Sequence, residues 1–253
     1  MTRWLILSLV LSFAISALAQ SNPLQNRMES ANQSYLAGDF SQAAVQYEQI
    51  IAEGYESAVL YFNLGNTYFK MNQIPAAVLF YEKALKLDPT DESIRFNLEL
   101  ANSRIIDKID PLPEFFLRTW FRNVRNLYSS DQWARAGVVG FILLLVALFI
   151  FFAAGSIMIR KMSFWAGVLL FIVISLSWLF SISSYKEFTR KDAGIIFTPT
   201  VTVKSSPNKN SIDLFVIHEG TKVFITDQVD EWSEIRLVNG NVGWLKTECY
   251  RRI

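Results

Sequence analysis

The chain has 253 residues, with 24 Lys and Arg against 23 Asp and Glu, a net charge of +1 and 51% hydrophobic residues. That balance creates no field to gather nucleic acid or an acidic substrate. Cys249 and His218 are the only cysteine and histidine, which excludes an internal disulfide and a cysteine-built zinc centre and removes most nucleophile and base pairings.

Residues 1–19 read as a secretory signal peptide. Arg3 supplies the positive start, residues 5–17 the apolar run, and Ala17-Leu18-Ala19 the small-residue cleavage pattern. Whether the leader is removed or kept as an anchor, it predicts that the residues after it lie outside the cytoplasm.

Residues 24–106 contain a repeat of 34 residues. In the best copy Tyr61, Leu64, Gly65, Tyr68, Ala77, Tyr81, Ala84 and Pro89 stand at the spacing of the tetratricopeptide signature, and the stretch resembles a TPR helix-turn-helix. A shift back by one period sets Ala31, Tyr35, Ala43 and Tyr47 under Gly65, Phe69, Ala77 and Tyr81. A shift forward sets Phe96-Asn97-Leu98 under Phe62-Asn63-Leu64, followed by no second helix, so that helix is expected to cap the solenoid. Small residues let such helices approach closely, and each pair buries an apolar face that it cannot bury alone. The resemblance implies a concave groove on the first helices carrying Asn32, Tyr35, Phe62, Asn63, Asn66, Phe69, Lys70 and Asn97, rings beside amides that suit an extended peptide or a partner helix. A solvated face with packing inside each repeat explains the same residues equally well.

Beyond Pro111 and Pro113, residues 112–128 show helical spacing: Phe116, Leu117, Trp120, Phe121 and Val124 on one side, Arg118, Arg122 and Arg125 on another. This predicts an interfacial helix, apolar side down, with guanidinium groups reaching lipid phosphates. A helix that covers the end of the solenoid is the alternative.

Two runs without a charged side chain come next, at residues 136–159 and 163–185, divided by Arg160-Lys161. A helix of 24 residues reaches roughly 36 Å, enough to cross a hydrocarbon layer of about 30 Å. Core helices rarely stay apolar on every face over such lengths, so a two-helix transmembrane hairpin is expected. Trp133, Trp165, Trp178 and Tyr185 lie near the ends of the runs, where amphipathic rings favour the headgroup zone. No ionisable residue lies within either run, which argues against transport. The leader puts both soluble parts outside, with Arg160-Lys161 inside. Counting Arg122, Arg125 and Arg135 with Lys186, Arg190, Lys191 and Lys204 would invert the chain, but the leader acts first and long domains translocate largely regardless of charge.

Residues 195–253 change to alternation with period two: Val201 and Val203, Val223 and Ile225, Ile235 and Leu237, Val242 and Trp244. With Ser205-Ser206-Pro207, Glu219-Gly220-Thr221 and Asn239-Gly240-Asn241 between them, these strands predict a small all-β barrel that resembles a bacterial SH3 (SH3b) domain. Lys204 stands where that family carries arginine, which weakens a bidentate contact there. Parity with Val242 assigns Trp244 to the core, leaving Trp232 as the candidate SH3b ligand platform. His218 is expected in a turn and Cys249 near the end, neither with chemistry.

No metal-ligand spacing, phosphate loop, nucleophile elbow or carboxylate pair stands out, so neither catalysis, a metal nor a cofactor is expected. The order of leader, TPR, basic amphipathic helix, two spans and SH3-like end resembles the BatE proteins of bacterial Bat (aerotolerance) operons. The resemblance implies a multi-pass scaffold of the bacterial inner membrane with its soluble parts on the periplasmic side. Its implied partners are other Bat proteins with von Willebrand A domains or TPRs and a MoxR-type ATPase. Peptidoglycan is the partner in the alternative reading, through the SH3b domain.

Overall fold

In a computed structural model, residues 23–190 and 192–253 are described. The expected signal peptide lies outside the described residues. The described residues divide into two compact units that part between residues 56 and 57.

The first unit is a helical hairpin, α1 (Pro23–Leu36) and α2 (Phe40–Ala52). Gly38, at φ +82, makes the turn, and the Asp39 carboxylate accepts from the Gln42 amide at 3.0 Å to start α2. Ala31, Ala43 and Ala44 are buried. The Tyr47 hydroxyl donates to Asn32 Oδ1 at 2.6 Å and ties the hairpin together, while Arg27 and Glu53 form an ion pair.

The second unit begins with α3 (Ala58–Lys70), α4 (Ile74–Leu87) and α5 (Glu92–Asn102). Ser57 caps α3 and Asp91 caps α5 through side-chain oxygens that accept from backbone amides. A Cβ on Gly65 would stand 2.7 Å from the Tyr81 ring, so α3 and α4 touch at a distance that only glycine allows. Asn72, at φ 59, turns the chain between them, and Pro75 opens α4 where its missing N–H costs nothing.

A short α6 (Phe116–Arg125) leads to α7 (Ser130–Ala153, 24 residues) and α8 (Ile157–Thr189, 33 residues), both long and apolar enough to cross a membrane. Their outward faces are bare, with Phe149 and Phe152 each 73% exposed. Where they meet, Gly137 lies under Trp178 and Gly140 under Ile174, at Cβ-to-side-chain distances of 2.8 and 2.9 Å, and the Ser130 and Ser181 hydroxyls each donate to the other's carbonyl at 3.2 and 3.1 Å. Gly137→Leu is therefore expected to force the helices apart and cost about 1–3 kcal/mol, read as lower thermal stability of the detergent-purified chain. The chain reverses at residues 154–156, not at Arg160-Lys161: Gly155 and Ser156 break the helix, and Arg160, already in α8, donates from Nε to the Ala154 carbonyl at 2.8 Å.

Among the described residues seven strands follow, β1 (Ala193–Ile196), β2 (Thr200–Lys204), β3 (Asp213–His218), β4 (Lys222–Val229), β5 (Trp232–Arg236), β6 (Val242–Lys246) and β7 (Tyr250–Arg252), with one 3-10 turn at Thr247–Cys249. They pair antiparallel in the order β3-β2-β6-β5-β4-β1-β7. Val201, Val203, Ile217, Val223, Ile235, Leu245 and Tyr250 gather into one core, so the sheet curls over its inner face. It does not close into the expected barrel, because β3 and β7 remain edges.

Nor is the sheet a separate lobe. Ile195 of β1 lies in one cluster with Ala77, Val78, Tyr81, Leu98 and Ile105 of the repeat region. The segment after α5 runs from the repeat onto the sheet. A Cβ on Gly220 would meet Ile105 at 2.9 Å, one on Gly240 would meet Leu112 at 2.9 Å, and the Leu112 amide donates to the Val238 carbonyl at 3.2 Å. Asp107 sits midway along this strap. Its Oδ2 accepts from the His218 amide and the Thr221 hydroxyl, each at 2.6 Å, and its Oδ1 accepts from His218 Nδ1 at 2.8 Å. The Asp107 side chain thus fills a hydrogen-bonding position on edge strand β3 that a further strand would otherwise fill. Lys222 and Glu82 close the same junction at 2.7 Å.

Candidate functional site

The predicted groove residues fall into two groups. In the first unit Asn32 is held by the Tyr47 hydroxyl, and Tyr35 packs edge-on against Phe40 at 5.3 Å. Burial pushes the Tyr35 phenol above its ordinary pKa.

In the second unit the Tyr81 hydroxyl donates to Asn66 Oδ1 at 2.7 Å, and Asn97 Nδ2 donates to the same oxygen at 2.8 Å. One amide therefore joins α3, α4 and α5. Asn32 with Tyr47 and Asn66 with Tyr81 are the same bond one 34-residue period apart, a repeat that the sequence carries. Phe62 is half-buried, its ring 6.0 Å from that of Tyr81, and Phe69 lies under the Arg104 guanidinium at 4.3 Å. The Asn63 carbonyl accepts from the buried Thr67 hydroxyl at 2.7 Å. Most of the nominated residues thus brace the repeat from within. Lys70, at the end of α3, is exposed.

What stands open on this side is α5. Phe96 is 66% exposed and Leu100, one turn on, 41%. Phe96 occupies the repeat position of Phe62, and that offset of 34 residues marks it in the sequence as a groove residue. An apolar pair beside the Asn97 amide can accept the apolar side of a helix or of an extended peptide and give it one polar anchor.

On α6 the arginines are not all free for lipid. Arg122 pairs with Glu114 at 2.7 Å and Arg125 reaches Glu187 of α8 at 3.6 Å, while Arg118 is exposed. Phe121 packs on Phe180 at 5.3 Å, so α6 lies against α8, while Phe116, Leu117 and Trp120 on its apolar side are left bare. Trp133 is also tied in: its Nε1 donates to the Arg125 carbonyl at 2.9 Å and its ring lies tilted against that of Phe180, 4.9 Å between centroids.

Neither tryptophan of the sheet stands where it is expected. Trp232 is only 8% exposed, which leaves too little of its ring for the expected ligand platform, and Trp244 is half-buried rather than part of the core. In β6 the inward positions are Gly243 and Leu245, so the parity set by Val242 points outward. Gly243 is required there, since a Cβ would come within 2.6 Å of Val203. Lys204, opposite Trp244, pairs with Asp213. Cys249 is half-buried against the sheet core, and His218 belongs to the Asp107 clamp.

Among the described residues no group of three or more His, Cys, Asp or Glu side chains could hold a metal ion. A search of curated proteins finds no match. Residues 58–91, α3 and α4 with the turn after them, match the tetratricopeptide repeat family, and this part of the chain is a TPR.

Proposed function

We propose that the chain is a non-enzymatic membrane scaffold whose TPR holds a helix or extended peptide of another protein. The repeat supports a role in protein-protein interaction, and the observation that carries the specific reading is the open Phe96 and Leu100 pair on the helix that ends the repeat array. Both residues are exposed, so Phe96→Ser with Leu100→Ser is expected to change stability by no more than about 0.5 kcal/mol. The same double variant should abolish photo-crosslinking between residue 97 and its membrane partner. An unchanged crosslink would remove the TPR face from the function.

The bare outer faces of α7 and α8 support a hairpin embedded in lipid, and the resemblance to BatE proteins supports the inner membrane of a bacterium, with the repeat and the sheet on the periplasmic side. In this reading the partners are Bat proteins with von Willebrand A domains or TPRs, working with a MoxR-type ATPase. Co-purification of these proteins with the wild type but not with the double variant tests it. An SH3b-like role for the sheet rests on the strand and turn pattern of the sequence alone, and with Trp232 buried the protein-binding TPR is favoured over a grip on peptidoglycan.

A further inference from the structure

A cavity of about 570 Å³ opens where α4, α6, the start of α7, the end of α8 and the sheet come together. That volume is in the range of small-molecule sites. Ser129, Ser130 and Asp131 line it from one long helix, and Ser184, Tyr185 and Glu187 from the other. Asp131 precedes the charge-free run at residue 136 by five positions, about 8 Å of helix. On the reading that α7 and α8 span a bilayer, this is headgroup depth, since the polar layer adds about 5–8 Å on each side of the hydrocarbon.

The walls carry charge of both signs. Lys86, Arg122, Arg125, Arg190 and Lys222 face it, and so do the carboxylates of Glu82, Asp131, Glu187 and Asp192. Three pairs within the wall are Lys222 with Glu82 at 2.7 Å, Arg190 with Asp192 at 2.5 Å and Arg125 with Glu187 at 3.6 Å. An anionic headgroup would meet four carboxylates, and a choline headgroup has no hydrogen to donate to them. A phosphate that bears an ammonium group matches both signs. The Arg125 and Glu187 pair is the loose one, longer than the roughly 2.7–2.9 Å of a strong charge-assisted bond. A zwitterion can exchange that single long contact for two short ones, phosphate to Arg125 and ammonium to Glu187.

We propose that this cavity binds the headgroup of an amine-bearing zwitterionic phospholipid, which would fasten the repeat and the sheet to the ends of the membrane hairpin. The inference rests on the membrane reading, so the full chain is first tested for resistance to carbonate extraction. If carbonate releases it, the membrane reading and this inference fall together. Native mass spectrometry of the chain in detergent, titrated with phosphatidylethanolamine, phosphatidylcholine and phosphatidylglycerol of identical acyl chains, then reads the inference alone. Retention of the ethanolamine lipid is expected to exceed the others by about tenfold, the worth of one charge-assisted hydrogen bond. Glu187→Gln, at an exposed carboxylate, should erase the preference over phosphatidylglycerol, and Arg125→Gln should weaken all three lipids. Equal retention of the three lipids, or a preference unchanged in Glu187→Gln, overturns the proposal. So does free phosphoethanolamine binding as tightly as the lipid, which would make the ligand a soluble one.

Discussion

Tyr81→Ala is expected to destabilise the second unit by about 3–5 kcal/mol, the range for removing a buried aromatic ring from a core. The ring is 1% exposed and fills the space over Gly65. Its hydroxyl also fixes Asn66, which in turn holds Asn97 of α5. Loss of the ring therefore opens a cavity and also releases the amide that orders the proposed binding face. Tyr81→Phe separates the two effects: it keeps the ring, removes the hydroxyl and should cost about 1 kcal/mol. Denaturant melts of the two variants beside wild type check this. A small loss for Tyr81→Ala would mean that the α3 and α4 pair does not depend on this packing.

Asp107→Ala is the second large effect. Three donors converge on this carboxylate, and two of them, the His218 amide and the Thr221 hydroxyl, lie at 2.6 Å. An ionised carboxylate only accepts, so Nδ1 of His218 carries the proton it shares with Asp107. Removing the acceptor leaves partly buried donors unsatisfied and should cost about 3 kcal/mol. It should also loosen the sheet from the repeat, visible as faster hydrogen exchange at the end of β3.

The clamp also makes stability depend on pH. Burial alone would push the Asp107 carboxyl up, but the hydrogen bonds from Thr221 and His218, aided by the imidazole's charge, together hold it below its ordinary value. Since the folded pKa lies below the unfolded one, the contribution is fully present above the unfolded value of about 3.9 and is lost as pH falls below it through the folded value. Wild type should therefore lose stability below about pH 4 in a step that Asp107→Ala lacks. Parallel acid titrations of the two would contradict this origin.

The repeat was legible because each TPR position has one packing role. Gly65 needs closeness, Tyr81 fills the resulting space, and their spacing survives in any sequence that keeps both. The groove was legible only in part. Position in the period identifies Asn66 and Phe69 as facing one side, but whether that side is free depends on Arg104 and Asn97, which come from elsewhere in the chain. The interfacial helix shows the same division. Its stripe of Phe, Leu and Trp predicts an amphipathic helix, yet Glu114 and Glu187 decide which arginines remain for lipid.

Composition and periodicity by themselves determined the repeat, the two long apolar helices and the strands, since local patterns of 34, continuous and two-residue period each admit one kind of element. Tertiary structure decided which side of β6 faces inward, where the long helices turn, and that the sheet remains open. It also decided that an aspartate between repeat and sheet joins them into one body. These outcomes depend on contacts between residues far apart in the chain, such as Asp107 with His218 and Gly243 with Val203. A periodic pattern reports which residues share a face, but carries no record of what that face will meet.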